Sequence, residues 1–342
     1  MTSQEVAVPT AARSPRPRVL RRGRERRVAE LVAVAAIAIG VSLGLGGSDY
    51  DQLILELIAV YAIAATGLNI AVGLTGQFQM AQVGCMAVSA YASSILAVDH
   101  AYSPWIAMGA GVLMAVAFGA IVGLVTARTR SHYLLLVTFA LQVVAVNMIR
   151  NLSGLTGGVN GHAGIFELPF PGGSLMGATV EYSILTLLIA GAGMLLASWL
   201  GRSYTGVGMQ GSRQSEPAEL ASGLSPARFR LLAILISAAY AGVAGALIGP
   251  VLTNLVPASF GLGATLLLLV IVVTGGMGSP VGTVIAAAAL TWANQVAQGR
   301  TTAWPLIYGV LVMVILVVAP GGLASIGRRA GRLWPRGSTP AP

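Results

Sequence analysis

Lysine is absent from the sequence, so all twenty of its basic residues are arginines. A Walker-type phosphate-binding loop needs a lysine that reaches the β- and γ-phosphates, and the chain therefore cannot carry such an ATP site itself. Charged residues make up only 9% of the chain, whereas 56% is hydrophobic. A soluble protein of 342 residues needs more charge to cover its surface, so the composition indicates a bundle embedded in lipid.

The sequence also has little that predicts an enzyme or a metal site. Cys85 is the single cysteine and lies in an apolar run, which excludes a disulfide framework and predicts a thiol packed in the core. Neither a Gly-x-Ser-x-Gly nor a His-Glu-x-x-His motif occurs. His100, His132 and His162 are far apart in the sequence, so we expect no catalytic residues and no bound metal.

Long apolar runs dominate what is present. A helix needs about 20 apolar residues to cross roughly 30 Å of hydrocarbon. Two of the ten runs are short for this, which indicates tilted, broken or partly re-entrant elements. The first run is too long for the core of a signal peptide, the competing interpretation. The ten runs are 28–47, 53–74, 80–98, 105–127, 133–149, 183–200, 229–249, 264–275, 281–296 and 303–319.

These runs predict an all-α fold, a polytopic transmembrane helix bundle. The membrane domain covers residues 28–326, between an arginine-rich tail of residues 1–27, which we expect to be disordered, and a second tail of residues 327–342. Two loops are longer than a turn. The outer loop, 151–182, is rich in glycine and proline, and the inner loop, 201–228, is polar.

The placement of the arginines predicts the topology, because cytoplasmic loops of membrane proteins hold the excess of basic residues. With ten crossings and a cytoplasmic amino terminus, only Arg150 and Arg300 fall outside, and both tails are cytoplasmic. We expect a multi-pass protein of the bacterial inner membrane, in contact with lipid. The net charge of +9 comes without the interleaved aromatics of a nucleic-acid site, so nucleic acid is not an expected partner. The outer side then holds Asp49, Asp51, Asp99, Glu167 and Glu181.

Neutral polar side chains within the runs are candidates for lining a translocation pathway. Ionisable residues are absent from the middles of the runs, and Glu56 is placed within one turn of a helix end. This weighs against a proton-driven transporter, while sodium coupling through carbonyls and hydroxyls stays open. Hydrogen bonding between helices is the alternative role for each candidate. The candidates are Asn69, Thr75, Gln77, Gln82, Thr138, Gln142, Asn147 and Thr274.

Two glycine-rich breaks, Gly73–Gln77 and Thr274–Pro280, interrupt the apolar runs. Unwound backbone at membrane depth is tolerated where it lines a cavity or is covered by protein. Two tight turns between helices at the inner face fit the sequence equally well. Close helix packing explains other small-residue stretches, Ala107–Gly111 and Ala241–Ala246.

Four stretches, in order along nearly the whole chain after the tail, resemble the permease subunits of the high-affinity branched-chain amino acid ABC importers. The chain length and the outer loop favour the longer of the two permease types in such systems. The stretches are Gly67–Gly76 with Gln77 and Gly84; Tyr133–Phe139 with Leu155–Gly161; Arg213–Leu224 with Arg228–Ala233 and Ala241–Gly245; and Pro257–Phe260 with Gly275–Gly282.

In that family the third stretch is a coupling loop that presents a short cytoplasmic helix to the ATPase subunit. The local sequence agrees, since Ser215 can cap a helix that Gly223 ends. Pro217 and the early Glu219 depart from the family pattern, so individual contacts with the ATPase do not carry over. The resemblance assigns coupling to Arg213, Glu216, Ala218, Gly223 and Arg228.

The resemblance also implies partners and a substrate. We expect a second homologous permease, two cytoplasmic ATPase subunits that hold ATP and Mg²⁺, and an extracytoplasmic solute-binding protein. This chain itself then binds no cofactor. Branched-chain amino acids are the expected solutes, with urea and amides as alternatives. A channel or ion-coupled carrier that works without ATP, and a membrane enzyme of lipid or cell-wall metabolism, are the competing functions.

Overall fold

The computed structural model describes residues 48–126, 131–163, 178–214 and 225–298, together with Gly40 and Gly44. In chain order the elements are α1 (Asp49–Asn69), a π-helix (Ile70–Leu74), α2 (Gln82–Val98), α3 (Pro104–Thr126), α4 (Ser131–Asn151), α5 (Ser153–Thr156), a 3₁₀ turn (Gly158–Asn160), β1 (His162–Ala163), α6 (Ala178–Gly201), α7 (Tyr204–Gln214), α8 (Pro226–Leu252), β2 (Asn254–Leu255), a 3₁₀ turn (Pro257–Phe260), α9 (Leu262–Gly275) and α10 (Pro280–Gln298).

The predicted helical fold is confirmed in this part of the chain. Six helices are long and apolar enough to cross a membrane, and α2 is a shorter apolar helix. Each predicted run from 53–74 to 281–296 coincides with one helix, with ends within five residues of those predicted. The run 28–47 is described only at Gly40 and Gly44, and the run 303–319, both tails and residues 215–224 lie outside the described residues.

Helix α1 lies at the centre of the bundle. In the apolar stretch of α1, 89% of the residues are buried within the protein, against 28% in the corresponding stretches of α3, α4 and α6. Alanines such as Ala59, Ala64 and Ala65, all fully buried, give α1 a slim surface on which α6, α8 and α10 pack. The most central helix is therefore the one that ends in the π-helix and the first glycine-rich break.

Small residues bring α3 and α8 into close contact, as their sequence predicts. A Cβ added to Gly242 of α8 would lie 2.9 Å from Cα of Val112, and one added to Gly119 of α3 would collide with Ala238. Lipid provides little hydrophobic force between helices, so such backbone proximity and its dispersion energy hold the pair together.

Helix α9 is reached through a segment that turns back into the bundle. With 14 residues, α9 alone extends about 20 Å at 1.5 Å per residue, so it reaches spanning length only together with the preceding 3₁₀ turn, as the 19-residue segment Pro257–Gly275. Before it, β2 pairs antiparallel with β1, with His162 opposite Leu255, and the buried Phe260 closes a 3₁₀ turn. The hydroxyl of Tyr91 donates to the carbonyl oxygen of Leu255 at 2.6 Å. The short predicted run 264–275 is therefore one continuous helix that this 3₁₀ turn precedes.

Candidate functional site

The two glycine-rich breaks meet at one point. Asn69, at the end of α1, donates through Nδ2 to Oγ1 of Thr283 at 2.8 Å, and its Oδ1 accepts the backbone N–H of Gly278 at 2.8 Å. A Cβ on Gly73 would lie 2.7 Å from Cα of Gly278, so only glycine permits this approach. We call Asn69, Gly73, Gly278 and Thr283 the glycine junction.

Each break has its own local form. The first is a single π-helical turn, in which Thr75 donates through Oγ1 to the carbonyl oxygen of Ala71 at 2.6 Å, followed by Gly76 at a φ of 72°. The second is a tight turn between α9 and α10, with Gly276 and Gly278 at φ of 100° and 86°. Glycine adopts these positive φ values without the steric cost that a Cβ would bring. The two predicted alternatives are combined, because both turns also border a cavity.

This cavity has a volume of about 360 Å³ and lies between the ends of α1 and α6, α7 and the start of α10. Small-molecule sites fall in this size range and carry a few polar groups on an apolar wall. Thr66 is 1% exposed, and its Oγ1 has no hydrogen-bond partner among the described residues. The polar side chains that line the cavity belong to Thr66, Asn69, Ser198, Arg202, Gln210 and Ser279.

The side chains of three predicted pathway residues form hydrogen bonds with other helices or loops inside the bundle. Gln82 donates through Nε2 to the carbonyl oxygens of Ala64 and Ser237, at 3.0 and 3.1 Å. Thr138 is fully buried and accepts the backbone N–H of Met80 at 3.0 Å. Gln142 donates to Oγ1 of Thr265 at 2.6 Å and to the carbonyl oxygen of Phe260 at 3.3 Å. These bonds match the alternative role, and pathway lining by these residues stays a prediction.

The remaining pathway candidates differ in exposure. Gln77 Oε1 and Thr274 Oγ1 are buried without a hydrogen-bond partner within the described part of the chain. Asn147 is exposed on α4, between the exposed apolar side chains of Val144 and Met148. An amide on such a face is disfavoured in lipid, so this face is suited to contact with protein or with a polar pathway.

The inner loop contains a helix that the sequence did not predict. Ser203 caps α7, since its Oγ accepts the backbone N–H of Gly206 at 3.2 Å. The capping serine was a usable signal, but the segment is too polar to register as an apolar run. Of the predicted coupling residues, Arg228 is exposed and Arg213 donates through Nη1 to the carbonyl oxygen of Gly73 at 2.6 Å. Glu216, Ala218 and Gly223 lie outside the described residues.

The position predicted for Glu56 is wrong. Ser48 caps α1 by accepting the backbone N–H of Asp51, so the helix starts before the apolar run and Glu56 lies two turns inside it. The carboxyl is 4% exposed and accepts a hydrogen bond from Ser183 Oγ at 2.8 Å. A search for apolar runs misses such polar first turns, and the chain does hold a buried carboxyl inside a spanning helix.

The opposite end of the bundle holds the outer loop. His162 Nε2 lies 3.8 Å from Asp99 Oδ1, and the β1–β2 pair joins this loop to the segment before α9. Within the described ranges, no group of three or more His, Cys, Asp or Glu side chains is placed to hold a metal ion. Cys85 is a buried free thiol, as predicted.

Fold and site together define a multi-pass helical membrane protein with a polar cavity at a junction of helix ends. Residues 52–320 match the family of branched-chain amino acid transport system permease components, and the chain belongs to this family. The predicted resemblance is thereby confirmed.

Relatives in two bacteria show the same family. The high-affinity branched-chain amino acid transport system permease protein LivM of Escherichia coli (strain K12) is 29% identical over 320 residues, covering 87% of this chain and 75% of the relative. LivM of Salmonella typhimurium (strain LT2) is 28% identical with the same coverage. A metal-chelate type ABC transporter, solved in an inward-facing conformation, gives a TM-score of 0.45 at 16% identity and covers 84% of this chain and 99% of that chain.

Proposed function

We propose that this chain is a transmembrane permease subunit of an ABC importer for branched-chain amino acids or solutes of similar size, such as urea or amides. Membership of the permease family over residues 52–320 carries the proposal. The absence of lysine supports it, because ATP hydrolysis must then occur in a partner subunit. The subunit itself is non-catalytic.

The glycine junction and its cavity form the inner end of the solute pathway in this proposal. Turns held by glycine can rearrange when helix ends move, and the cavity offers hydroxyl and amide groups to a small polar solute. Solute arrives already selected by an extracytoplasmic binding protein, so no tight site is required within the bundle.

The partners follow from two surfaces. Two ATPase subunits, which hold ATP and Mg²⁺, dock on the inner loop 201–228. A second homologous permease covers the exposed face of α4, where Asn147 would otherwise lie against lipid. Ten spans, with both termini in the cytoplasm of a bacterium and the bundle in its inner membrane, complete the arrangement.

Reconstitution into proteoliposomes tests this function. The permease is assembled with its candidate second permease, ATPases and binding protein, and uptake of labelled leucine, valine, urea and acetamide is measured. We expect uptake of leucine and valine that requires ATP in the lumen of the proteoliposomes, where the ATPase subunits lie, and the binding protein in the external solution. Uptake driven by a sodium or proton gradient without ATP would support an ion-coupled carrier instead, for which the buried Glu56 is the natural candidate.

Deletion of residues 215–224 tests the docking loop while retaining Arg213. We expect loss of ATPase co-purification and of uptake, with the permease still inserted in the membrane. A matched variant that replaces the same residues with a Gly-Ser linker of equal length separates loop length from helix docking. Normal uptake by either variant would contradict the assignment of this segment to coupling.

A further inference from the structure

The side chain of Arg213 is directed back at the bundle. The residue lies in the last turn of α7, and its Nη1 reaches the carbonyl oxygen of Gly73, 140 residues earlier in the sequence. Its aliphatic stem crosses Gly76, where an added Cβ would lie 3.1 Å from Cγ of Arg213. Although the residue is exposed as a whole, its charged tip is therefore bound to the end of the central helix.

The acceptor is a carbonyl that needs such a donor. The last carbonyl groups of a helix have no partner within the helix and carry partial negative charge, which favours a cation there. The neighbouring carbonyls of Ala71 and Val72 accept the backbone N–H groups of Gln77 and Gly76. Gly73 receives its donor from α7 instead.

An apolar contact joins the same two elements. Met209 of α7 is fully buried and packs in one cluster with Ile70 and Leu74 of the π-helix. The π-helix is thus held to α7 by Met209 and by Arg213, which lie one turn apart on the same face of α7. Because Gly73 belongs to the glycine junction, α7 holds the residue at which the two breaks meet.

We infer that Arg213 is a positioning residue that ties α7 to the glycine junction, so that movement of the inner loop moves the inner end of the pathway. The inference rests on the proposed function, since the ATPases supply the movement. It replaces the role that the resemblance assigns: Arg213 acts on Gly73 and does not bind the ATPase.

Arg213→Met and Arg213→Lys test the link. Methionine keeps an apolar stem over Gly76 but has no hydrogen-bond donor. Lysine keeps a cationic donor. One N–H group is sufficient, because Arg213 makes a single hydrogen bond to the carbonyl oxygen of Gly73. In the reconstituted complex we expect Arg213→Met to co-purify with the ATPase normally while solute uptake per ATP hydrolysed falls about tenfold, the loss expected for a charge-assisted hydrogen bond. Arg213→Lys should restore most of that ratio.

Arg150→Met, which removes an exposed arginine at the opposite end, is the matched control and should keep the wild-type ratio. An unchanged ratio in Arg213→Met, or no rescue by lysine, would overturn the inference. Loss of ATPase co-purification in Arg213→Met would overturn it as well, since Arg213 would then contact the ATPase directly.

Hydrogen exchange on the purified permease tests the link without transport. We expect amides of residues 70–79 to exchange about tenfold faster in Arg213→Met than in the wild type, and near the wild-type rate in Arg213→Lys. Unchanged exchange in Arg213→Met would reject the link itself. Altered exchange in a complex that shows no ATP-driven uptake would support the link and reject the proposed function, so the two failures are distinguishable.

Discussion

Gln82 has both of its polar atoms bound within the bundle. Its Oε1 accepts the hydroxyl of Ser237 at 2.7 Å, and that hydroxyl oxygen accepts Nε2 of Gln79 at 3.1 Å. The sequence could predict that polar side chains in apolar runs matter, but not which role each has, because Ser237 is 155 residues away from Gln82. The same limit applies to Arg213, whose acceptor is a backbone carbonyl that no side-chain motif reveals.

Replacement of Gln82 by methionine should lower the free energy of unfolding by about 1–2 kcal/mol, because the carbonyl oxygens of Ala64 and Ser237 lose a buried donor. Asn147→Leu is the matched control, since Asn147 is exposed in the isolated subunit and its loss should leave stability unchanged. Thermal unfolding in detergent, followed by circular dichroism, measures both. Equal melting temperatures for Gln82→Met and the wild type would refute the interior role of Gln82.

At the scale of the elements, apolar runs predicted helices well because spanning length and composition both follow from the bilayer. The same criterion missed α7, whose segment is polar, and the first turn of α1, which a serine caps. It also could not give the path of the segment before α9. That path depends on tertiary hydrogen bonds to Tyr91 and Gln142, which lie on other helices.

Gly119→Leu should separate α3 from α8, because its side chain would occupy the volume of Ala238. Overpacking of this kind costs about 1–3 kcal/mol, and a leucine at a helix contact lies at the upper end. Gly109→Leu makes the same change on α3 where a Cβ would meet nothing within 4 Å. In detergent, only Gly119→Leu should show a lower melting temperature and aggregation in size-exclusion chromatography; equal behaviour of the two variants would disprove the close contact.

At the scale of the whole molecule, contacts between residues far apart in the sequence mark the two ends of the described bundle, while the ten spans predicted from the arginines stay a prediction. Contacts bring the distant Asp99 and His162 together at one end, and Gly73 and Arg213 at the other. The arginine placement predicts which end faces the cytoplasm, because it reflects the membrane and not the packing of the chain.

Thiol labelling determines the orientation. Cys85 is buried, so a Cys85→Ala background should be free of reactive thiols. Ser103→Cys, at the end that bears Asp99, should react with a membrane-impermeant maleimide in right-side-out vesicles, and Val207→Cys, 61% exposed in the wild type on α7, only in inside-out vesicles. The reverse pattern would invert the predicted topology.

The β1–β2 pair is a second connection between distant parts of the chain, beside the bond of Arg213 to Gly73. It joins the outer loop to the segment that continues through α9 to Gly278, so one continuous stretch of chain links the two ends of the described bundle. Thermodynamic linkage makes such sharing reciprocal. In the proposed importer, a binding protein that favours one position of β1–β2 would strengthen the binding of the ATPase to the inner loop by the same factor by which the ATPase strengthens the binding of that protein.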